Sequence, residues 1–122
     1  MEMPNIQGNS LVGANGAING DILVIDAVWK ASQKYDVNFG VMWDLCLCES
    51  GGKKTAIGYS GKAVSIFQWW QSSWDYYNQV YGMDLNRMNV YDQAEMTARV
   101  LKDGGHNNWY NCFKYKVSAD LI

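Results

Sequence analysis

Histidine, cysteine, long apolar runs and a strong charge of either sign are all scarce in this sequence. Its 10 basic and 12 acidic residues leave a formal net charge of −2, which argues against nucleic acid or an anionic membrane as a partner bound by bulk electrostatics. No apolar run approaches the length that crosses a bilayer, and residues 1–20 lack the basic start and apolar centre of a signal peptide. His106, the single histidine, has no metal-ligand spacing around it, so we expect neither a metal site nor another cofactor.

Apolar and aromatic residues are by contrast plentiful for a chain of 122 residues. Apolar residues make up 48% of it, enough for one globular domain that buries roughly two thirds of its unfolded surface. Six tryptophans and eight tyrosines serve core packing by default and also suit stacking on sugar rings. We expect residues 1–20, which are rich in asparagine and glycine, to form a flexible arm, and residues 21–122 to form the domain, as a monomer.

Apolar residues at helical spacing recur in four segments, which polar or glycine-rich stretches separate. The predicted caps and ends of these helices are Asp21 and Tyr35, Asn38 and Glu49, Ser72 or Ser73 and Gly82, and Asn89 and Gly104-Gly105. Between Gly51 and Gln68 the period changes, and the turn-prone residues 60–62 predict a small, irregular β-hairpin. The expected fold class is therefore mainly α, a helical domain of α+β type with one small hairpin.

The chain is organised around residues 47–52, where an apolar helical pattern ends in a carboxylate followed by two glycines. Gly51 and Gly52 end the predicted helix because glycine accepts the left-handed conformation found at helix ends. Glu49 then lies in the last turn, where partial negative charge on exposed carbonyls disfavours a carboxylate. If apolar neighbours also desolvate it, both effects raise its pKa and keep it protonated near neutral pH, as a general acid requires. A solvated glutamate at a frayed helix end is the alternative.

The three cysteines leave two arrangements open. Cys46 and Cys48 are two positions apart on one predicted helix and point in different directions, so they cannot readily bridge each other or chelate one ion. Cys48 falls on the predicted apolar face, and a bridge from it to Cys112 would close a loop worth about 4 kcal/mol in the chain-entropy model. Three buried free thiols in a reducing compartment fit the spacing equally well.

Several short motifs follow one another along the chain. They are Cys48-Glu49-Ser50-Gly51-Gly52, Ser65-Ile66-Phe67-Gln68, Ser73-Trp74, Asp92-Gln93, and Gly104-Gly105 followed by Trp109 and Cys112. In order and spacing they resemble the lysozyme-like domain of lytic transglycosylases and resuscitation-promoting factors, over roughly Ile22 to Cys112. Ser65 departs from the family, which usually has glycine there, and we expect its side chain to crowd the approach of a sugar. The family's late Tyr-Asn-Gly stretch has no clean match.

The resemblance implies a small lysozyme fold, with helices around a cleft that a short β element partly walls, and the glycan strand of peptidoglycan as substrate. Glu49 matches the catalytic acid of the family, and Gln68 matches a glutamine whose amide lines the cleft near that acid. Cys48 and Cys112 match a disulfide pair, which favours an oxidising location: extracellular, cell wall or periplasm, reached by secretion or phage delivery. The other expected substrate-binding residues are Tyr59, Ser65, Trp69, Trp70, Trp109 and Tyr110.

One carboxylate has to suffice for the chemistry, because no convincing second acidic residue is recognisable across a scissile bond. Asp44 shares the helix of Glu49, and Asp75 falls in a helix start. Lytic transglycosylases manage with one, since the 6-hydroxyl of N-acetylmuramic acid itself attacks the anomeric carbon. The resemblance thus implies a muramidase that cuts the β-1,4 bond between N-acetylmuramic acid and N-acetylglucosamine, with Glu49 first as acid and then as base. A hydrolytic lysozyme and a peptidoglycan-binding module with little turnover are the alternatives.

Overall fold

A computed structural model describes the backbone from Ala17 to Ile122 and the side chains from Ile22 onward. The predicted flexible arm over residues 1–20 lies largely outside the described residues. The described part contains helices α1 (Ala17–Tyr35), α2 (Phe39–Ser50), α3 (Gln71–Tyr81), α4 (Val90–Lys102) and α5 (Tyr110–Tyr115), strands β1 (Ile57–Gly58), β2 (Ala63–Val64) and β3 (Trp69–Trp70), and two 3-10 turns, His106–Trp109 and Ala119–Leu121. The prediction of a mainly helical fold with a small β element is confirmed.

Helices α1, α2 and α4 pack around a common hydrophobic core. Helix α4 lies along α1, and α1 also contacts α2. Side chains from all three helices fill the core, among them Val28, Met42, Leu45 and Leu101, each at most 1% exposed. Within residues 17–122, no helix combines the length and the apolar character needed to span a membrane.

The caps of α2 and α4 lie where the sequence predicted them. Asn38 and Asn89 each accept a hydrogen bond of 3.0 Å from a backbone N–H in the first turn of α2 and α4. Gly51 ends α2 with a left-handed φ of 66°. The predicted start of α1 is wrong, because the helix begins at Ala17 and already includes Asp21. The low helix propensity of the asparagine and glycine ahead of Asp21 does not stop the helix.

A disulfide between Cys48 and Cys112 joins α2 to α5, with the two Cα atoms 6.0 Å apart. The pairing implied by the family resemblance is therefore confirmed, and the arrangement with three free thiols is not. The predicted burial of Cys48 is wrong, since Cys48 is exposed while Cys46 is a buried free thiol. The buried stripe of α2 runs through Met42, Leu45 and Cys46, and Cys48 lies at the border of that stripe near the helix end.

The three strands form an antiparallel sheet in the order β1-β2-β3. Strands β1 and β2 pair across the turn at residues 60–62, so the predicted hairpin is confirmed. Strand β3 was not predicted, and it pairs with the other side of β2. Helix α3 follows it directly, so the predicted cap at Ser72 or Ser73 is wrong. Trp70 takes the N-cap position instead, because strand pairing already holds it in the extended conformation that a cap requires.

Candidate functional site

A groove made of two adjoining cavities, of about 310 and 340 Å³, runs past the end of α2. The first cavity, here the aromatic lobe, is lined by Glu49, Tyr59, Gln68, Trp70, Asn108, Trp109, Tyr110 and Asn111. The second, here the basic lobe, is lined by Cys48, Glu49, Tyr59, Gln68, Asn111, Cys112, Tyr115 and Lys116. Because Glu49 lines both lobes, it lies where the two cavities meet.

Glu49 is half-buried in the last turn of α2. Desolvation raises the pKa of Glu49 from its ordinary value of 4.5 to about 7. Its Oε2 lies 2.8 Å from Sγ of Cys112. A disulfide sulfur has no proton to donate, so this contact is a hydrogen bond only when the carboxyl group is protonated and donates it. The surroundings of Glu49 thus favour the neutral acid, and the alternative of a solvated glutamate at a frayed helix end does not describe this site.

Ser50 fastens the end of α2 to the loop that follows β2. Its Oγ lies 2.7 Å from the Ile66 carbonyl oxygen and accepts a hydrogen bond of 3.1 Å from the Gly52 backbone N–H. The residue directly after Glu49 is therefore held against the β segment on one side and against the helix-ending glycines on the other. This fixes where the carboxyl group lies relative to the groove.

Gln68 lines both lobes, but its amide hydrogens are used within the loop. Nε2 donates to the carbonyl oxygens of Ala56 at 3.1 Å and Ser65 at 2.9 Å. Its Oε1 lies over Gly58, where a Cβ atom would approach it to 2.6 Å, so a larger residue at this position would displace the Gln68 amide. Gln68 can therefore offer its Oε1 as an acceptor to a hydroxyl or amide of a bound molecule.

The adjacent tryptophans of β3 point in opposite directions, as alternation along a strand requires. Trp69 is 3% exposed, and its Nε1 donates to Thr97 Oγ1 at 2.9 Å. Trp70 is 38% exposed, and its ring centroid lies 5.7 Å from that of Tyr59. Trp69 is therefore a core residue, while Trp70 and Tyr59 present accessible ring faces to the groove.

The remaining predicted binding residues differ in their access to the groove. Trp109 is mostly buried, and its Nε1 donates to the Phe67 carbonyl at 2.9 Å, whereas Tyr110 is exposed along the aromatic lobe. Ser65 is 1% exposed and lines neither lobe, so it does not crowd a ligand as the sequence predicted. Its φ of 67° is left-handed, a conformation that glycine adopts without strain.

Asn108, Tyr115 and Lys116 line the groove although sequence reasoning did not single them out. No hydrophobic period marks them, because Asn108 lies in the short 3-10 turn, Tyr115 ends the six-residue helix α5, and Lys116 follows that helix. The signal that could have found them is Cys112, since a bridge at this residue brings its sequence neighbours beside the acid.

The cluster of Cys48, Glu49 and Cys112 is the one group of potential metal ligands within the described residues. Its two sulfurs are joined in the disulfide, so no thiolate is present and a single carboxyl group is left, which is too few ligands for a metal ion. Glu49 is also the one acidic side chain that lines either lobe in the described chain. The groove can therefore give one proton to a bound molecule and take one back.

Neither a family model, nor a curated protein, nor a solved structure matches this chain. The site itself defines a class: a mainly helical domain with one half-buried carboxyl group of raised pKa at the middle of a polar, aromatic groove.

Proposed function

We propose that this chain is a lytic transglycosylase that cuts the β-1,4 bond between N-acetylmuramic acid and N-acetylglucosamine in peptidoglycan. The observation that carries the proposal is the environment of Glu49, a carboxyl group whose pKa is raised to about 7 and which has no second carboxylate beside it among the described lining residues. The other lining groups suit a sugar chain, because Trp70 and Tyr59 offer ring faces while Asn111 offers an amide. The Asn108 Nδ2 already donates to Tyr77 and Gly105, so this side chain offers its Oδ1 as an acceptor.

Glu49 acts twice in the proposed reaction. As a neutral acid it gives its proton to the glycosidic oxygen, the bond between C1 and that oxygen breaks, and the N-acetylglucosamine side leaves with a free 4-hydroxyl. The Glu49 carboxylate then takes the proton of the 6-hydroxyl of N-acetylmuramic acid while that oxygen bonds to C1. The product ends in a 1,6-anhydro ring, and Glu49 regains its proton without water or a second carboxylate taking part.

A hydrolytic lysozyme is less well supported by the same groove. Inverting and retaining glycosidases place a second carboxyl group about 5 to 9.5 Å from the acid, and no second acidic side chain lines either lobe in the described chain. Because disulfides persist in oxidising compartments, we place the reaction outside the cytoplasm, at the cell wall or in the periplasm.

Mass spectrometry of the soluble products released from purified peptidoglycan tests this proposal. We expect the wild-type chain to release fragments with 1,6-anhydro ends, and Glu49→Gln to be slower by about 100-fold or more because an amide cannot donate the proton. Asp44→Asn, on the exposed side of the same helix, is the matched control and should leave the rate unchanged. Products with reducing ends would identify a hydrolase. A wild-type chain that releases no product would refute the proposal that this protein is an enzyme.

A further inference from the structure

We infer that the basic lobe binds a carboxylate borne on the lactyl substituent of N-acetylmuramic acid, and that Lys116 is the residue that sets this specificity. The inference rests on the proposed function, and it names the part of the strand that the groove recognises besides the sugar rings.

The two lobes differ in the charged residues that line them, although they share Glu49, Tyr59, Gln68 and Asn111. Apart from Glu49, the side chains that line the aromatic lobe are uncharged. The two cations near it lie over its rings, with Lys62 Nζ 5.4 Å from the Trp70 centroid and Lys114 Nζ 5.4 Å from the Tyr110 centroid. The basic lobe adds Lys116. Because burial keeps Glu49 largely neutral below pH 7, Lys116 gives this end of the groove a net positive charge. Lys116 itself lines the basic lobe, and Lys114 Nζ lies 5.1 Å from the ring centroid of Tyr115 in the same lobe, so an anionic group is favoured there.

Lys116 has no anionic partner of its own among residues 22–122. The ion pairs in this part of the chain are Lys30–Asp26, Lys34–Glu95 and Arg99–Asp103. The Lys116 backbone is nevertheless fixed, since its N–H donates to the Cys112 carbonyl at 2.8 Å directly after the bridged helix. The base of the side chain is thus held in place beside the disulfide, and its ammonium group is available to a ligand.

The chemistry of the strand provides a matching group next to the bond that Glu49 would cleave. N-Acetylmuramic acid carries a lactyl ether on C3, whereas N-acetylglucosamine carries no acidic substituent. The lactyl group ends either in a stem peptide with free carboxylates or, where the peptide has been removed, in its own carboxylate. Both forms place a carboxylate beside the sugar chain, within reach of a lobe that adjoins Glu49.

The test uses glycan strands before and after carbodiimide coupling to methylamine, which converts their carboxylates into neutral amides. For unmodified strands we expect Lys116→Gln to raise KM about three- to five-fold at unchanged kcat, as an accessible ion pair does. For the blocked strands, the wild-type protein and Lys116→Gln should have the same KM. Lys116→Arg keeps the cation and should restore the wild-type KM. Lys102→Gln, which removes an exposed cation outside the groove, is the control for net charge.

Two natural substrates identify the source of the carboxylate. A larger effect of Lys116→Gln on peptide-bearing strands assigns the lobe to the stem peptide, and a larger effect on amidase-treated strands assigns it to the lactyl carboxylate itself. An equal effect on blocked and unmodified strands, or no effect on either, would overturn the inference.

Binding measurements separate this inference from the proposed reaction. In a Glu49→Gln background, adding Lys116→Gln should weaken the Kd for unmodified strands by the same factor of about three to five. This readout needs no turnover. A wild-type chain without cleavage products therefore refutes the transglycosylase, whereas an unchanged Kd refutes the carboxylate site.

Discussion

At the scale of single residues, the chemistry of this chain concentrates on Glu49, whose surroundings favour the protonated form. The pKa of this carboxyl group is about 4.5 without those surroundings, and desolvation in the groove raises it to about 7. Between these values the native state holds a proton that the unfolded state has released. The stability contributed by the neutral group is therefore fully present below pH 4.5 and is lost as the pH rises through 7.

Glu49→Gln should consequently raise Tm above that of the wild-type chain at pH 8, on the order of 5 °C, and change it little at pH 5. The amide has the shape of the neutral acid and never has to hold a desolvated negative charge. Calorimetry at both pH values measures the difference. Asp44→Asn, which removes an exposed carboxylate from the same helix, is the matched control. A Glu49→Gln shift that does not grow with pH would contradict the raised pKa.

At the scale of secondary-structure elements, Gln93 of α4 holds the loop between β2 and β3. It is fully buried, and its Oε1 accepts a hydrogen bond of 2.7 Å from the Phe67 backbone N–H. Its Nε2 donates to the carbonyl oxygens of Val64 at 3.1 Å and Arg87 at 2.9 Å. One side chain thus satisfies three backbone groups, and it anchors the segment that carries Gln68 and β3 to the helical core.

Gln93→Met keeps most of the volume but leaves those backbone groups without their partner. We expect the free energy of unfolding to fall by about 3 kcal/mol, because each buried group left unpaired costs about 1 to 3 kcal/mol. Urea denaturation measures the change. Gln79→Met, an exposed position on α3, is the matched control and should stay within about 0.5 kcal/mol of wild type. A Gln93 variant as stable as this control would mean that the loop is held without the buried amide.

Local signals in the sequence account for most elements but for only part of the groove. Asn38 and Gly51 mark the ends of α2 because caps and left-handed glycines act on their own helix. Strand β3 escaped prediction since two residues are too few to show a period, and its tryptophans could equally flank a hairpin. Lys116 and Tyr115 were not predicted to line the groove, because their place beside Glu49 depends on a disulfide between residues 64 positions apart.

At the scale of the whole molecule, the disulfide between Cys48 and Cys112 joins two of the helices that line the groove. Helix α2 carries Glu49, and α5 carries Tyr110 and Asn111. The bridge closes a segment of 64 residues, which in the chain-entropy model restricts the unfolded state by about 4 kcal/mol. The same bond therefore stabilises the fold and keeps water from the acid, since Cys112 Sγ lies against the Glu49 carboxyl group.

Replacing both bridged cysteines, Cys48→Ser with Cys112→Ser, should lower the free energy of unfolding by about 2 to 4 kcal/mol in urea denaturation. It should also lower the pKa of Glu49 from about 7 toward 4.5, measured by NMR titration of the carboxyl group, because α5 can then move away and admit water. A thiol reductant is the control: it should bring the wild-type chain to the stability of the variant and leave the variant unchanged, since Cys46 is a buried free thiol in both. Lower stability with an unchanged pKa would show that α2 and the sheet desolvate Glu49 without the bridge.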